Sequence, residues 1–188
     1  YGGVGVGLLN FFIFIILAVF ISGLMVGRTP EFLGKKVEAR EMKIAMIIAL
    51  LHPFLILVGT ALAAALPQYT ADSLNNPGFH GLSEMLYEYT SSSANNGSGF
   101  EGLGDNTPWW NISTGFVLIL SRFLPIIGPV AIAGLLAQKK FVPEGDGTLK
   151  TDTATFGLMV FAVIAIVAAL AFFPVLALGP IAEYFSLY

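Results

Sequence analysis

The sequence NNPGFHGLSEMLYEYTSSSANNGSGFEGL (residues 75–103) decides the fold that we predict. It is too short in apolar residues to cross a bilayer, yet a long apolar stretch lies on each side of it. It opens with a turn signal, Asn-Asn-Pro-Gly, and ends in small and amide residues around Gly97. Non-helical backbone at membrane depth is tolerated only where protein buries it or where it lines a wet cavity. The stretch is therefore typical of a re-entrant pore helix followed by a filter loop.

The composition is that of an integral membrane protein. Hydrophobic residues make up 56% of the chain and charged residues 11%, and the mean hydropathy is +0.81. A helical span needs about 20 apolar residues, and four stretches meet this requirement: 6–26, 44–66, 114–137 and 154–178. Cysteine is absent, which excludes disulfides, thiolate metal sites and cysteine nucleophiles. We therefore expect an all-α integral membrane fold of transmembrane helices with a re-entrant pore helix and filter loop.

The basic residues indicate the orientation in the membrane. Of the nine Lys and Arg residues, all but Arg122 lie between the first and second apolar stretches or between the third and fourth. The positive-inside rule then places residues 28–43 and 138–153 in the cytoplasm. The segment 67–113, which has no basic residue, lies outside, as does the C-terminus. This arrangement has each apolar stretch cross in the alternating sense.

An internal repeat is visible in the order of the segments. The chain starts with YGGVGVG directly before a span, just as residues 95–99 stand before a later span. We interpret residues 44–137 as one complete repeat of span, pore helix (81–91), filter (92–99) and span, and residues 1–43 as the end of another. Residues 138–188 supply a loop and a final span. An ion ringed by carbonyls needs several such copies, so we expect the chain to be the C-terminal part of a longer protein.

The predicted pore helix has two chemically different faces. Glu84 and Glu88 share one face, one helical turn apart. Apolar residues at helical spacing can bury another face: Leu82, Met85, Leu86 and Tyr89. The C-terminal end of this helix points at the filter, and its dipole favours a cation there. The absence of Lys and Arg nearby favours cations as well.

Several long segments of the chain resemble the KdpA family, the A subunit of the potassium-transporting ATPase. The matching segments are GGVGVGLL (2–9), GLMVGRTPEFLGKKVEAREMK (23–43), the pore-loop stretch quoted above, SRFLPIIGPVAIAG (121–134) and ALGPIAEYFS (177–186). The resemblance covers the whole chain as the C-terminal third of that family. It implies a four-repeat architecture of the K⁺ transporter superfamily, in which the two repeats here are the third and fourth.

The resemblance also implies a function and partners. The family selects and moves K⁺ for ATP-driven uptake across a bacterial or archaeal plasma membrane, and K⁺ is its ion, with no organic cofactor. Its expected partners are the P-type ATPase subunit KdpB, the subunits KdpC and KdpF, and the lipid bilayer, but no nucleic acid. No ATP-binding or phosphorylation motif occurs in the chain. ATP hydrolysis is therefore expected on the partner, and this chain is not an enzyme by itself.

The resemblance assigns the filter residues by position. The third filter falls on Gly2, Gly3, Val4 and Gly5, and the fourth on Asn95, Asn96, Gly97 and Ser98. Glycine permits the backbone conformations that turn successive carbonyls toward one axis. The side chains of Asn95 and Ser98 could add to the backbone oxygens. The first two filters lie outside this chain.

Arg122 is the one basic residue inside a predicted span. A charge there costs several kcal/mol on insertion scales and usually faces the interior of the helix bundle. In the family the matching arginine lies beneath the filter, which implies that it limits passive cation flow and helps K⁺ to leave. The alternative is that it pairs with a carboxylate or a helix C-terminus for packing alone.

Two other classes of function share some of these features. A passive K⁺ channel or symporter of the Trk, Ktr or HKT type has the same repeat plan, but the extended matches GRTPEFLGKK and ANNGSGF favour KdpA. An intramembrane serine protease could use Ser98 with His52 or His80. Its nucleophile motif, however, requires glycine two residues before the serine, where this chain has Asn96.

Overall fold

Helices dominate the computed structural model, which describes residues 6–76, 78–143, 145, 148, 150–171 and 173–187. The order of the elements is α1 (Val6–Val26), β1 (Glu31–Phe32), β2 (Lys35–Lys36), α2 (Ala39–Ala65), α3 (Pro67–Thr70), a 3₁₀ turn (Ala71–Ser73), α4 (Phe79–Ala94), α5 (Pro108–Ala137), α6 (Ala154–Ala171) and α7 (Phe173–Leu187). Among these, α1, α2, α5 and α6 are long and apolar enough to cross a membrane. The prediction of an all-α membrane protein is confirmed.

Two of the spanning helices start earlier than their apolar stretches predicted. We expected α2 to begin at residue 44, but the Glu41 carboxylate accepts the backbone N–H of Glu38 at 2.8 Å and caps a turn that begins at Ala39. We expected α5 to begin at residue 114, but Pro108 stands at its first position and the Thr107 hydroxyl accepts the backbone N–H of Trp110. A window of hydropathy does not detect such polar caps. The first span, 6–26, coincides with α1.

The last predicted span, 154–178, is covered by α6 and α7. These helices stand on either side of Phe172, which lies outside the described residues. Helical backbone continues past residue 178 to Leu187, because the charge of Glu183 ends the apolar stretch without ending the helix.

The described chain forms two compact units. The first, called here the pore-loop unit, contains residues 51–123 and 168–187, without the residues that the structure does not describe. Its core joins α2, α4 and α5 through buried apolar side chains: Leu55, Ala63, Met85, Tyr89, Leu103, Trp110 and Val117. The predicted apolar face of the pore helix is therefore in the core, with Leu82 only half-buried.

Tyr89 is the centre of this core. Its ring packs on the indole of Trp110, with 5.5 Å between the ring centroids. Its hydroxyl exchanges a hydrogen bond with Ser113 at 2.9 Å. On the other side α2 presents Gly59, where an added Cβ would lie 2.5 Å from the ring. The three helices can therefore approach this closely only because residue 59 has no side chain.

The final helix packs on the beginning of the pore helix. A Cβ at Gly179 of α7 would lie 2.7 Å from the Ser83 hydroxyl and 3.0 Å from the Phe79 carbonyl oxygen. One turn further along α7, Glu183 accepts from His80 Nδ1 at 2.7 Å. His80 is exposed and takes part in this pair.

The second unit contains residues 6–50 and 124–167, again without the residues that are not described. Its core is built from α1, α2, α5 and α6, and its fully buried side chains include Ile13, Ile16 and Ile132. A short hairpin joins α1 to α2, with Glu31 paired to Lys36 and Phe32 to Lys35. Its turn residues, Leu33 and Gly34, both have positive φ, as the tightest hairpin turns require.

Lys139 ties the end of α5 to this hairpin. Its ammonium donates to Glu41 at 2.7 Å, to Glu38 at 2.9 Å and to the Lys36 carbonyl at 2.9 Å. Burial disfavours the charged form, but the two carboxylates outweigh burial and raise the pKa of Lys139. A raised lysine pKa means that the contribution to stability is complete at neutral pH and is lost only in strongly alkaline solution.

Replacing Gly59 by alanine tests the packing of Tyr89. We expect Gly59→Ala to destabilise the full-length protein by about 1–3 kcal/mol, because the Tyr89 ring is held by Ser113 and cannot move aside freely. Gly115→Ala in α5 is the control, since an added Cβ there meets nothing within 4 Å. The measurement is the loss of the monodisperse size-exclusion peak on heating in detergent. Equal melting of the two variants would contradict the prediction.

Candidate functional site: the pore helix and its loop

The pore helix α4 is longer than we predicted. It runs from Phe79 to Ala94, where the sequence indicated 81–91, and is about 24 Å long at 1.5 Å per residue. Residues 92–94, which we had included in the filter, are helical. The loop begins at Asn95, which caps the helix in the left-handed conformation with φ 54°. The helix continues so far because Ser92 and Ser93 point into buried surroundings where their hydroxyls have partners on Glu88 and His52.

The loop after α4 turns through several left-handed residues. Gly97 has φ 73° and Gly99 has φ 53°, which L-residues with side chains adopt only at a cost. Residues 96–98 are exposed. Among the described residues, no hydrogen bond is donated to the backbone carbonyl oxygens of Asn95 through Gly99. The loop therefore offers oxygen atoms with free lone pairs beyond the negative end of a helix.

Three N–H groups of the same loop, those of Asn95, Ser98 and Gly99, have acceptors inside the protein. Ser98 N–H donates to Asn96 Oδ1 at 3.0 Å, and Gly99 N–H donates to the Ser91 hydroxyl at 2.9 Å. Ser91 in turn donates to Asn96 Oδ1 at 2.8 Å and lies 3.0 Å from the Ser98 hydroxyl. The side chains of Asn96 and Ser98 are thus used to hold the loop in shape.

Asn95 connects the loop to α5. Its amide nitrogen donates to the Ser121 hydroxyl at 2.8 Å and to the backbone carbonyls of Ser92 and Ser93. Its side-chain oxygen accepts from Arg122 Nε at 3.1 Å. We had considered the Asn95 side chain as a possible ion ligand, but both of its polar atoms are engaged in these contacts.

Arg122 is half-buried and lies beside the end of the pore helix. Within the described part of the chain, no carboxylate lies within 4.0 Å of its guanidinium. The alternative in which Arg122 pairs with a carboxylate therefore finds no support among those residues. The alternative in which Arg122 pairs with a helix C-terminus has partial support, because Arg122 donates to the side chain of Asn95, the residue that caps α4.

Two buried carboxylates complete the site. Glu84, which is fully buried, accepts the backbone N–H groups of Asn75 and Asn76, each at 3.0 Å. Glu88 is 7% exposed and accepts the N–H of Phe100 at 2.9 Å. The sequence predicted that these two residues share a face, and the structure adds that this face is turned toward the two backbone segments that flank α4.

The other predicted filter residues are Gly2, Gly3, Val4 and Gly5. They lie outside the described residues, so their assignment stays a prediction. His52 lies in α2, is buried and contacts the Ser93 hydroxyl at 2.9 Å.

Comparison with known proteins places these features in a family. The family model for KdpA, "Potassium-transporting ATPase A subunit", matches residues 1–185. The chain belongs to the KdpA family. A relative from Flavobacterium psychrophilum, named as a potassium-transporting ATPase potassium-binding subunit, is 73% identical across the whole chain, which covers 35% of that protein. Relatives of the same name from Phocaeicola vulgatus and Geobacillus kaustophilus are 73% and 57% identical and are covered over 34% and 33% of their length.

The chain therefore spans about one third of the length of the KdpA relatives that it matches. The sequence pointed to the loop and to Arg122. It did not predict the hydrogen bonds by which Ser91, Glu88 and Ser121 hold the loop or its first residue. Ser91 and Glu88 precede the loop by less than three helical turns, so their spacing on α4 is the signal that could have found them. Ser121 carried no such signal, because only the packing of α5 brings it to Asn95.

Substituting Asn95 by glycine tests its role as the connection. Glycine keeps the left-handed conformation without strain and removes the side-chain contacts to Ser121, to Arg122 and to the carbonyls at the end of α4. We expect amide hydrogen exchange in residues 95–100 of the full-length protein to rise about tenfold, because each lost hydrogen bond is worth about 1 kcal/mol. Asn106→Gly, at an exposed loop position outside the site, is the control. Unchanged exchange in Asn95→Gly would show that the loop holds its shape without Asn95.

Proposed function

We propose that this chain is the C-terminal part of the K⁺-binding and translocating subunit of an ATP-driven potassium uptake complex. The observation that carries the proposal is the loop at Asn95–Gly99. Its carbonyl oxygens are free of donors among the described residues, while the N–H groups of Asn95, Ser98 and Gly99 are paired. Rings of backbone carbonyls can replace the hydration shell of K⁺. The relatives are named as potassium-binding subunits, which supports K⁺ as the ion.

Four residues, Asn95, Asn96, Gly97 and Ser98, form the fourth filter segment in this proposal, and Gly2, Gly3, Val4 and Gly5 form the third. The ion is held by backbone oxygens, because the side chains of Asn95, Asn96 and Ser98 have partners in the protein. The dipole at the C-terminal end of α4 favours a cation at this position. The remaining segments of the ring come from parts of the subunit beyond this chain.

The complex has the partners that the family implies. ATP is hydrolysed by a KdpB-type P-type ATPase subunit, and KdpC and KdpF complete the assembly in a bacterial or archaeal plasma membrane. Residues 28–43 and 138–153 face the cytoplasm, whereas 67–113 and the C-terminus face outward. The distribution of Lys and Arg supports this orientation.

Substitution of Gly97 tests the filter. We expect Gly97→Ser and Gly97→Asp, made in the full-length subunit, to raise the K⁺ concentration needed for growth at least about tenfold, because a side chain at φ 73° costs about 1–3 kcal/mol. The measurement is growth at micromolar K⁺ of a bacterium that lacks other high-affinity K⁺ uptake.

Gly27→Ser is a matched control for this experiment. Gly27 also has a positive φ, 69°, and also has nothing within 4 Å of an added Cβ. The strain is therefore comparable, but the residue lies in the second unit, outside the proposed filter. Immunoblots must show equal amounts of subunit. Equal growth of Gly97→Asp and Gly27→Ser would overturn the filter assignment.

Arg122 serves as a charge barrier to passive flow in this proposal. A fixed positive charge beside the end of α4 repels a cation that leaves the loop, by about 1–2 kcal/mol in partly hydrated surroundings. We expect Arg122→Gln to increase K⁺ efflux from proteoliposomes without ATP about tenfold, and Arg122→Lys to keep most of the block because it keeps the charge. Equal efflux from the glutamine variant and the wild type would assign Arg122 to packing alone.

A further inference from the structure

Two buried carboxylates on the pore helix contact opposite ends of the re-entrant segment. Glu84 and Glu88 lie one turn apart on α4, and neither forms an ion pair with a basic residue among those described. Each accepts main-chain N–H groups instead. Buried carboxylates are stable when hydrogen bonds satisfy them, so these contacts explain why the two acids can occupy the interior.

The two carboxylates have different targets. Glu84 holds the turn before the helix through the N–H groups of Asn75 and Asn76 and the amide of the Asn76 side chain. Glu88 holds the chain after the loop: its Oε2 accepts the Phe100 N–H at 2.9 Å, and its Oε1 accepts from the Ser92 hydroxyl at 3.4 Å. Of the two carboxylates, only Glu88 contacts the backbone directly after the loop, at Phe100.

The Glu88 carboxylate also lies directly behind the loop. Its Oε2 is 3.6 Å from the position that a Cβ would take on Gly99. The Gly99 N–H is held by Ser91, one turn further along the same helix. Because the peptide units are planar, fixing two successive N–H groups also fixes the directions of the carbonyls that precede them, those of Ser98 and Gly99.

We propose that Glu88 is a positioning residue for ion selection. Its carboxylate anchors Phe100 to the rigid pore helix and so sets the spacing of the loop carbonyls that meet the ion. Glu88 does not touch the ion. This inference rests on the proposed function, since it assigns a task to a residue behind the same loop.

The hydrogen bond and the charge of Glu88 can be separated. Glutamine keeps one oxygen, which can accept the Phe100 N–H, and its amide nitrogen can donate to the Ser92 hydroxyl. Methionine has a similar length but no strong acceptor. A positioning role therefore predicts that Glu88→Gln retains selectivity and that Glu88→Met loses it. If the negative charge of Glu88 instead attracted the ion directly, Glu88→Gln and Glu88→Met would lose selectivity equally.

The experiment compares the K⁺ and Rb⁺ concentrations that half-activate ATP hydrolysis by the purified full-length complex. In Glu88→Met we expect the half-activating concentration of K⁺ to rise about tenfold while that of Rb⁺ changes less, because loss of the acceptor for the half-buried Phe100 N–H loosens the spacing of the carbonyls. For Glu88→Gln we expect the ratio of the half-activating Rb⁺ concentration to the half-activating K⁺ concentration to stay within about twofold of the wild-type ratio. Glu84→Met is the matched control: it lowers the yield or melting temperature of the complex and leaves the ratio unchanged.

The outcomes distinguish this inference from the proposed function. A wild-type ratio in Glu88→Met, or an equal loss in Glu88→Gln and Glu88→Met, overturns the positioning role. If Glu88→Met yields no assembled complex, Glu88→Asp, which is one methylene too short to reach Phe100, carries the same comparison. Gly97→Ser is measured alongside. If K⁺ does not activate the wild-type complex, the proposed function is overturned. If Gly97→Ser alters selectivity but Glu88→Met does not, only the role of Glu88 is overturned.

Discussion

The arrangement of the pore loop depends on an unequal pairing of its backbone groups. The N–H groups of Ser98, Gly99 and Phe100 donate to side chains that belong to the loop or to α4. The carbonyl oxygens of residues 95–99 receive no such donor from the described residues. An unpaired donor in the interior would compete with a cation by repelling it, while an unpaired acceptor attracts one. At Asn95, Ser98 and Gly99, therefore, only the carbonyl oxygen of the backbone is left without a partner, and residues 95–99 carry no formal charge.

The hydrogen bonds that hold the loop require α4 to keep its position, and the surrounding core fixes that position. Tyr89 is enclosed between Trp110 of α5 and the bare backbone at Gly59 of α2. Near the start of α4, Gly179 of α7 allows equally close contact. Interiors packed to this density transmit displacement rather than absorbing it. A shift of the pore helix would therefore move Ser91 and Glu88, and with them the loop that these residues hold.

Asn95 gives the loop a second attachment, to α5. The amide nitrogen of Asn95 donates to the end of α4 and to Ser121, and its side-chain oxygen accepts from Arg122. One side chain therefore connects the pore helix and the start of the loop to α5. The chain belongs to the KdpA family and spans about one third of the length of the relatives that it matches. The repeat boundaries that we inferred stay a prediction.

The sequence by itself determined the membrane class, the apolar helices, the position of the short helix α4 and its loop, and the resemblance to KdpA. These properties depend on composition, on local hydropathy and on turn residues, which act over a few neighbouring positions. The alternation of Glu84, Glu88 and the apolar residues of α4 was visible for the same reason.

Only the tertiary structure decided which groups meet. The bond from Arg122 to Asn95 and the contact of Ser121 join residues on separate helices, and no local pattern specifies how two helices rotate against each other. The same holds for the Glu88 carboxylate: the sequence placed it on one helical face with Glu84, but only the structure shows that it is buried against Phe100. Burial and partner choice follow from packing in three dimensions, where the free energy of each polar group depends on whether a matching group lies within hydrogen-bonding distance.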